Sequence, residues 1–141
     1  MSEQPDKGEY KLAIPKGQYG YVRFARCSSG DELAWDFWQR ITLKQRAVFL
    51  TSFRMIVDSP TLQLFKREKF KQVERELFEF KNIRDQMRLF CFRDVDGWYL
   101  TSGMEGKKED ALPPGEVKRA LEIMDDCRSA LAARRKKNLV I

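Results

Sequence analysis

Three short stretches, residues 73–81 (VERELFEFK), 86–93 (QMRLFCFR) and 97–103 (GWYLTSG), constrain the fold more than anything else in the chain. Each is rich in Phe, Leu and other bulky apolar residues, and they are parted by the polar breaks Asn82-Ile83-Arg84-Asp85 and Asp94-Val95-Asp96-Gly97. Strand-like runs separated by such tight, polar turns imply an antiparallel meander. On the middle run, Met87, Leu89 and Cys91 fall on one face and Arg88, Phe90 and Phe92 on the other. Both faces are apolar and only one carries a charge, which singles out Arg88.

The flanking segments supply what such a sheet needs to be covered. YGYVRFAR, residues 19–26, alternates as a short strand, and SSGDE follows with Ser29 and Glu32 at capping-box spacing. Leu33, Ala34, Phe37, Trp38 and Ile41 then share one helical face, an aromatic stripe that reads as core. Thr42 and Gln45 repeat the capping spacing at once, so a second helix runs to Asp58-Ser59-Pro60 with Leu43, Ala47, Leu50, Phe53, Ile56 and Val57 on one side. Two amphipathic helices joined so tightly make a helical hairpin that needs an apolar partner surface. After the strands, Pro113-Pro114 presets a helix start, and Val117, Ala120, Leu121, Met124, Cys127 and Leu131 keep helical spacing. That helix ends in basic residues 134–137, where cations suit the negative end of the dipole. The expected fold class is α+β, in the order β-α-α-β-β-β-α, with an antiparallel-rich sheet of about four strands. Residues 1–18 mix Gly, Pro, Lys and Glu without a hydrophobic period and are expected to form a mobile lead-in to a single domain over residues 19–137.

With 141 residues, 43% hydrophobic content, ten Phe and three Trp, the chain can fill one sizeable core and not two. No apolar run approaches the roughly 20 residues needed to cross a bilayer, and the opening MSEQPDKGEY has neither the charged start nor the apolar stretch of a secretory signal. The expected location is the cytoplasm. Cys27, Cys91 and Cys127 are an odd, scattered set, and the chain has no His, so no familiar structural zinc site is available. The cysteines read as reduced, mostly buried thiols, and no metal or cofactor is expected. The net charge of +6 is unevenly placed: residues 66–93 hold nine Lys/Arg against five Asp/Glu, and residues 128–141 hold five Lys/Arg and no acid. Such local basicity serves phosphates and anionic protein partners equally well.

Four blocks in order then resemble the RelE/HigB-type toxin superfamily, in its phage-derived branch. Residues 70–81, FKQVERELFEFK, are similar to the family's strand "Phe-Lys-x-Leu … Leu-Tyr/Trp-Glu-Leu-Arg", and residues 87–92, MRLFCF, to "Tyr-Arg-Ile-Phe-Tyr-Phe". Gly103 followed by Lys107-Lys108 resembles "His-Gly-Phe-x-Lys-Lys", and residues 113–120, PPGEVKRA, match "Pro-x-x-Glu-Ile-x-x-Ala" on the last helix. The chain departs from the pattern at Ser102, where the family has His, at Met104 for Phe, and at Lys81 for Arg. The resemblance implies a small RelE-like fold and the toxin of a type II toxin-antitoxin pair. Such a toxin is a metal-independent endoribonuclease that cuts mRNA on the ribosome and is silenced by a helix-turn-helix antitoxin. A toxin-like scaffold that no longer cleaves and instead binds RNA or a protein partner is the alternative.

Cutting RNA without a metal requires activating a 2′-OH, steadying charge on the phosphorus and protonating the departing 5′-oxygen. The resemblance puts Arg88 forward as phosphate clamp, its planar guanidinium suited to two phosphate oxygens, with an ion pair to Glu79 or Glu76 as the plainer role. Lys81 on the neighbouring strand is a supporting cation or an ordinary strand-end lysine. With no His, the acid and base must come from Lys107, Lys108, Glu79 or Tyr99, which otherwise read as solvated charges and a core tyrosine. Lys69, Lys71, Arg84, Arg93, Arg134 and Arg135 are the candidate RNA contacts. Phe90, Phe92, Trp98 and Tyr99 stand close enough in sequence to stack a base, core packing being the simpler use of them.

Overall fold

The computed structural model describes residues 9–59, 69–106 and 113–139. The chain forms β1 (Tyr21–Phe24), α1 (Leu33–Arg40), α2 (Leu43–Asp58), β2 (Phe70–Glu74), β3 (Leu77–Asn82), β4 (Met87–Asp94), β5 (Gly97–Met104) and α3 (Pro114–Leu139). This is a small α+β fold on a mixed sheet of five strands, ordered β1-β5-β4-β3-β2, in which β1 alone runs parallel to its neighbour. The sequence suggests about four strands, because residues 73–81 read as a single run. The chain instead turns at Arg75-Glu76 and pairs β2 back on β3, with a bulge between Gln72 and Glu74. Arg75 takes a left-handed φ of 52°, and its guanidinium is held by Asp125 of α3 at 2.9 and 3.1 Å. A turn secured by a partner 50 positions away has no local sequence signature.

β4 follows the expected alternation. Met87, Leu89 and Cys91 join one core cluster, with Phe37, Trp38, Phe49 and Phe53 of the helical hairpin. Phe90 and Phe92 join the other, with Ala120, Met124, Cys127 and Leu131 of α3. The sheet is thus the middle of three layers, α1 and α2 on one face and α3 on the other.

α1 and α2 meet as the Thr42 and Gln45 spacing requires. The Thr42 hydroxyl accepts from the Gln45 amide at 3.1 Å, and the Gln45 side chain accepts from the Thr42 amide at 2.9 Å. Arg46 donates to the Trp38 carbonyl at 2.9 Å and so satisfies an acceptor at the end of α1. The other expected box, Ser29 with Glu32, does not form. Glu32 is itself the residue before α1 and makes no cap bond, because its carboxylate is taken by Lys11 at 2.8 Å and Arg26 at 3.4 Å. On α2 the expected residues Phe53, Ile56 and Val57 are buried and Leu50 packs beside them, joined by Phe49, while Leu43 at the first turn is 79% exposed and Ala47 also lies outside. Rings fix that choice, since Phe53 stacks on Trp38 at 5.8 Å and meets Phe80 edge-on at 4.9 Å.

The lead-in expected to be mobile through residue 18 is packed from Tyr10 onward. Tyr10 and Ile14 are buried, and residues 11–13 run along the outer edge of β1, with the Ala13 amide on the Val22 carbonyl and the Phe24 amide on the Lys11 carbonyl, each at 2.8 Å. An exposed strand edge invites foreign pairing, and this segment covers it.

Gly97 is what lets β1 enter the sheet. Its φ of +138° lies where side chains rarely go, and a Cβ there would strike the backbone of Tyr21. We expect Gly97→Ala to destabilise the fold by about 2–4 kcal/mol. Gly106→Ala, also at positive φ but with open space around it, should cost only about 1–2 kcal/mol. Urea titrations of the two variants against the parent chain check the difference.

Candidate functional site

The register of β2, β3 and β4 places the expected cations in two adjacent cross-strand rows. Lys71 pairs with Glu79 and Glu79 with Phe90, which pairs in turn with Ser102. One row on, Lys81 pairs with Arg88 and Arg88 with Met104, while the Lys81 amide donates to the Lys69 carbonyl at 2.8 Å. Directly paired residues share a face, so Lys69, Lys71, Lys81 and Arg88 gather around Glu79 at the end of the sheet away from the β4-β5 turn. This is the face that α3 covers further along, over Leu77, Phe90, Phe92 and Tyr99. The sequence offered Lys69 and Lys71 only as general RNA contacts. Pairing of β2 with β3, the hairpin that the sequence did not reveal, brings them to Lys81 and Arg88. Met104 pairs directly with Arg88, and Ser102 lies one row away, paired with Phe90.

Within the cluster, Arg88 takes the ion-pair role with Glu79 and not with Glu76. Its Nη1 donates to both carboxylate oxygens, at 2.9 and 3.2 Å, and both side chains are only 1% exposed. Lys81 is 7% exposed. Glu76, in contrast, is on the surface and pairs with Arg128 at 3.1 Å. A guanidinium closed onto a carboxylate inside the sheet does not present itself to solvent. The Glu79 charge is felt locally: burial first, and then this carboxylate, push the Cys91 thiol well above its usual range.

Tyr99 belongs to a different place. It pairs with Phe92, five residues along β5 from the partner of Arg88, a separation of roughly 16 Å at strand rise. Its ring stacks on Phe92 at 5.5 Å and meets Tyr10 edge-on at 5.6 Å, and its hydroxyl donates to Asp96 at 3.0 Å while accepting from Arg135 at 3.1 Å. Burial and the Asp96 carboxylate push the phenol up to about 12, so it keeps its proton at neutral pH. Tyr99 thus sits as a buried tyrosine bonded to Asp96 and Arg135, away from Arg88.

Arg135 is likewise committed, to Asp94 at 2.8 Å and Asp96 at 3.0 Å, and it ties the end of α3 to the β4-β5 turn. Arg134 lies over the Tyr10 ring at 5.2 Å, and the exposed Arg93 lies over Trp98 at 5.8 Å on the hairpin-facing side of β4. Arg84 is exposed in the turn between β3 and β4. Lys107 and Lys108 lie outside the described residues. Among the described residues no group of three or more acids and cysteines is placed to hold a metal ion, and no helix is long and apolar enough to cross a membrane.

No protein-family model matches the chain, and no curated protein is similar enough to count as a relative.

Two outcomes follow from this geometry. Arg88→Ala should cost about 3–5 kcal/mol, because it strands Glu79 inside the sheet, whereas the joint swap Glu79→Gln with Arg88→Met should recover most of that loss. A double-mutant cycle in urea measures both. Tyr99 gives a pH signature. Its folded value lies above the unfolded value near 10, so its contribution is complete below pH 10 and is lost as pH rises toward 12, by roughly 2–3 kcal/mol in all. Tyr99→Phe should flatten the alkaline fall in stability over that window, as read from denaturation midpoints at each pH.

Proposed function

We propose that this chain is the toxin of a type II toxin-antitoxin pair of the RelE/HigB kind, a metal-independent endoribonuclease acting on mRNA at the ribosome in the cytoplasm. The observation that supports this reading most directly is the gathering of Lys69, Lys71, Lys81 and Arg88 around Glu79 on one sheet face. The order of elements, a helical hairpin before the strands and a helix after them, agrees with the RelE-like fold that the resemblance implies.

The chemistry fits those groups as follows. The 2′-oxygen attacks phosphorus, the bond to the 5′-oxygen breaks, and a 2′,3′-cyclic phosphate and a 5′-hydroxyl result. A scissile phosphate entering the cluster competes with Glu79 for Arg88, since charge-assisted, two-oxygen contacts are what a guanidinium makes best. That exchange steadies the developing charge and frees the Glu79 carboxylate to accept the 2′-OH proton. Lys81 adds a second cation, and Lys107 or Lys108 is the candidate to protonate the leaving oxygen. Lys69 and Lys71 at the sheet edge hold the flanking phosphates. A helix-turn-helix antitoxin is the partner that would silence the site.

One observation favours the second reading, a module that binds RNA or protein without cutting. It is the closed Arg88–Glu79 pair, 1% exposed, with Ser102 where the family has a proton-carrying His. Inducible expression with mapping of RNA ends on ribosomes separates the two. Growth arrest with new RNA ends is expected from the parent chain, and Glu79→Gln and Arg88→Ala should each lower cleavage by about 100-fold or more. Salt-dependent RNA binding with no new ends would select the binding module, and neither binding nor cleavage would end both readings. The paired variant Lys69→Ala with Lys71→Ala changes only edge residues and should make the salt dependence of RNA affinity shallower by about 1.4 in log-log slope, the loss of two phosphate contacts to a single strand.

A further inference from the structure

Cys27 and Cys127 are 100 positions apart in sequence, yet their sulfurs lie 3.9 Å from one another. Cys27 heads the turn that follows β1: the Gly30 amide donates to its carbonyl and its own amide donates to the Asp31 carbonyl, each at 2.8 Å. Cys127 sits on the buried stripe of α3. The residues next to both cysteines are bonded to each other. Asp126 accepts from the Ser28 amide at 2.8 Å and from the Ser28 hydroxyl at 2.7 Å, a two-point clamp that holds the turn against the helix. The turn and the helix are thus held together beside the two thiols, whose sulfurs need to close by less than about 2 Å to reach a bond of about 2.05 Å.

We propose that Cys27 and Cys127 form a reversible, redox-responsive disulfide that fastens α3 to the turn after β1. The oxidant is a small-molecule disulfide such as oxidised glutathione. The thiolate of Cys27, the less buried of the two, attacks one glutathione sulfur, forming a mixed disulfide and expelling one glutathione thiolate. The thiolate of Cys127 then attacks the Cys27 sulfur and expels the second. Two electrons pass to the oxidant, and the two thiol protons end on the two glutathiones released. Burial holds both thiols above their usual range, and for Cys127 the neighbouring Cys27 adds to it, so exchange draws on a small thiolate fraction and is slow at neutral pH. Cys91 takes no part, being fully buried within β4.

The inference does not depend on RNA cleavage, and its test uses the whole chain. Purified protein is incubated with oxidised or reduced glutathione, alkylated, and mapped by mass spectrometry. The expected result is loss of two hydrogen atoms, one peptide linking Cys27 to Cys127, and a free Cys91. Closing so long a loop should raise the melting temperature by on the order of 10 °C, reversibly with dithiothreitol. Cys91→Ser should keep the rise, and Cys27→Ser and Cys127→Ser should each lose it. A glutathione adduct that stays on Cys27, a bridge that involves Cys91, or alkylation of both thiols after oxidation would overturn the proposal. The mapping of the parent chain decides even if a cysteine variant fails to fold.

Discussion

Burial of β4 on both faces is the constraint on which the rest of the structure depends. Six consecutive residues, from Met87 to Phe92, are shielded from solvent. A strand in that position has its backbone polar groups satisfied by a neighbour on each side, here β3 and β5, and needs an apolar layer above and below. α1 and α2 supply one layer and α3 the other. The demand reaches single atoms. Gly103 on β5 has no side chain because a Cβ there would come within 2.5 Å of the Phe37 ring, so α1 lies directly on the sheet. Thr101 turns its hydroxyl to the Phe90 carbonyl at 3.2 Å, where the pairing of β4 with β5 slips.

Arg88 is the exception inside that strand, and its neighbours follow from it. A guanidinium in so dry a place costs several kcal/mol unless it is paired, and a partner must come from the adjoining strand on the same face. Glu79 meets both conditions. The pair therefore specifies register: a slip of β3 by one residue would bring Phe78 or Phe80 to this face and strand both charges. A buried pair of this kind is weak as a source of stability and strong as a constraint on alternatives.

Much of this was legible in the sequence, for identifiable reasons. The alternation along β4 and the Thr42–Gln45 cap are patterns of period and spacing, which are local, and they form as read. What the sequence concealed was settled by distant partners. Arg75 at the turn is joined to Asp125, Glu32 places its carboxylate on Lys11 and Arg26 and makes no cap bond, and residues 10–14 pack along the edge of β1. The site was legible to the same extent. Glu79, Lys81 and Arg88 could be placed on neighbouring strands, but Lys69 and Lys71 join them only through the unforeseen β2-β3 hairpin. Tyr99 and Arg135 lie apart from them, because Asp94 and Asp96, which read as turn residues, also hold Arg135, and Asp96 holds Tyr99.

The commitments of those two aspartates decide how the basic end of α3 is used. By count, the tail of α3 is the most cationic part of the chain, with four consecutive residues Arg134-Arg135-Lys136-Lys137. In the structure, Arg135 is neutralised by two carboxylates and Arg134 spreads over Tyr10, so the run serves first to anchor the helix end. At the opposite end of the same face, four cations surround a single carboxylate. Arg88 there is itself paired with Glu79, so each end of the face sets cations against internal carboxylates. The sequence offered two basic regions, residues 66–93 and 128–141, and the register of three strands brings Lys69, Lys71, Lys81 and Arg88 of the first to one face.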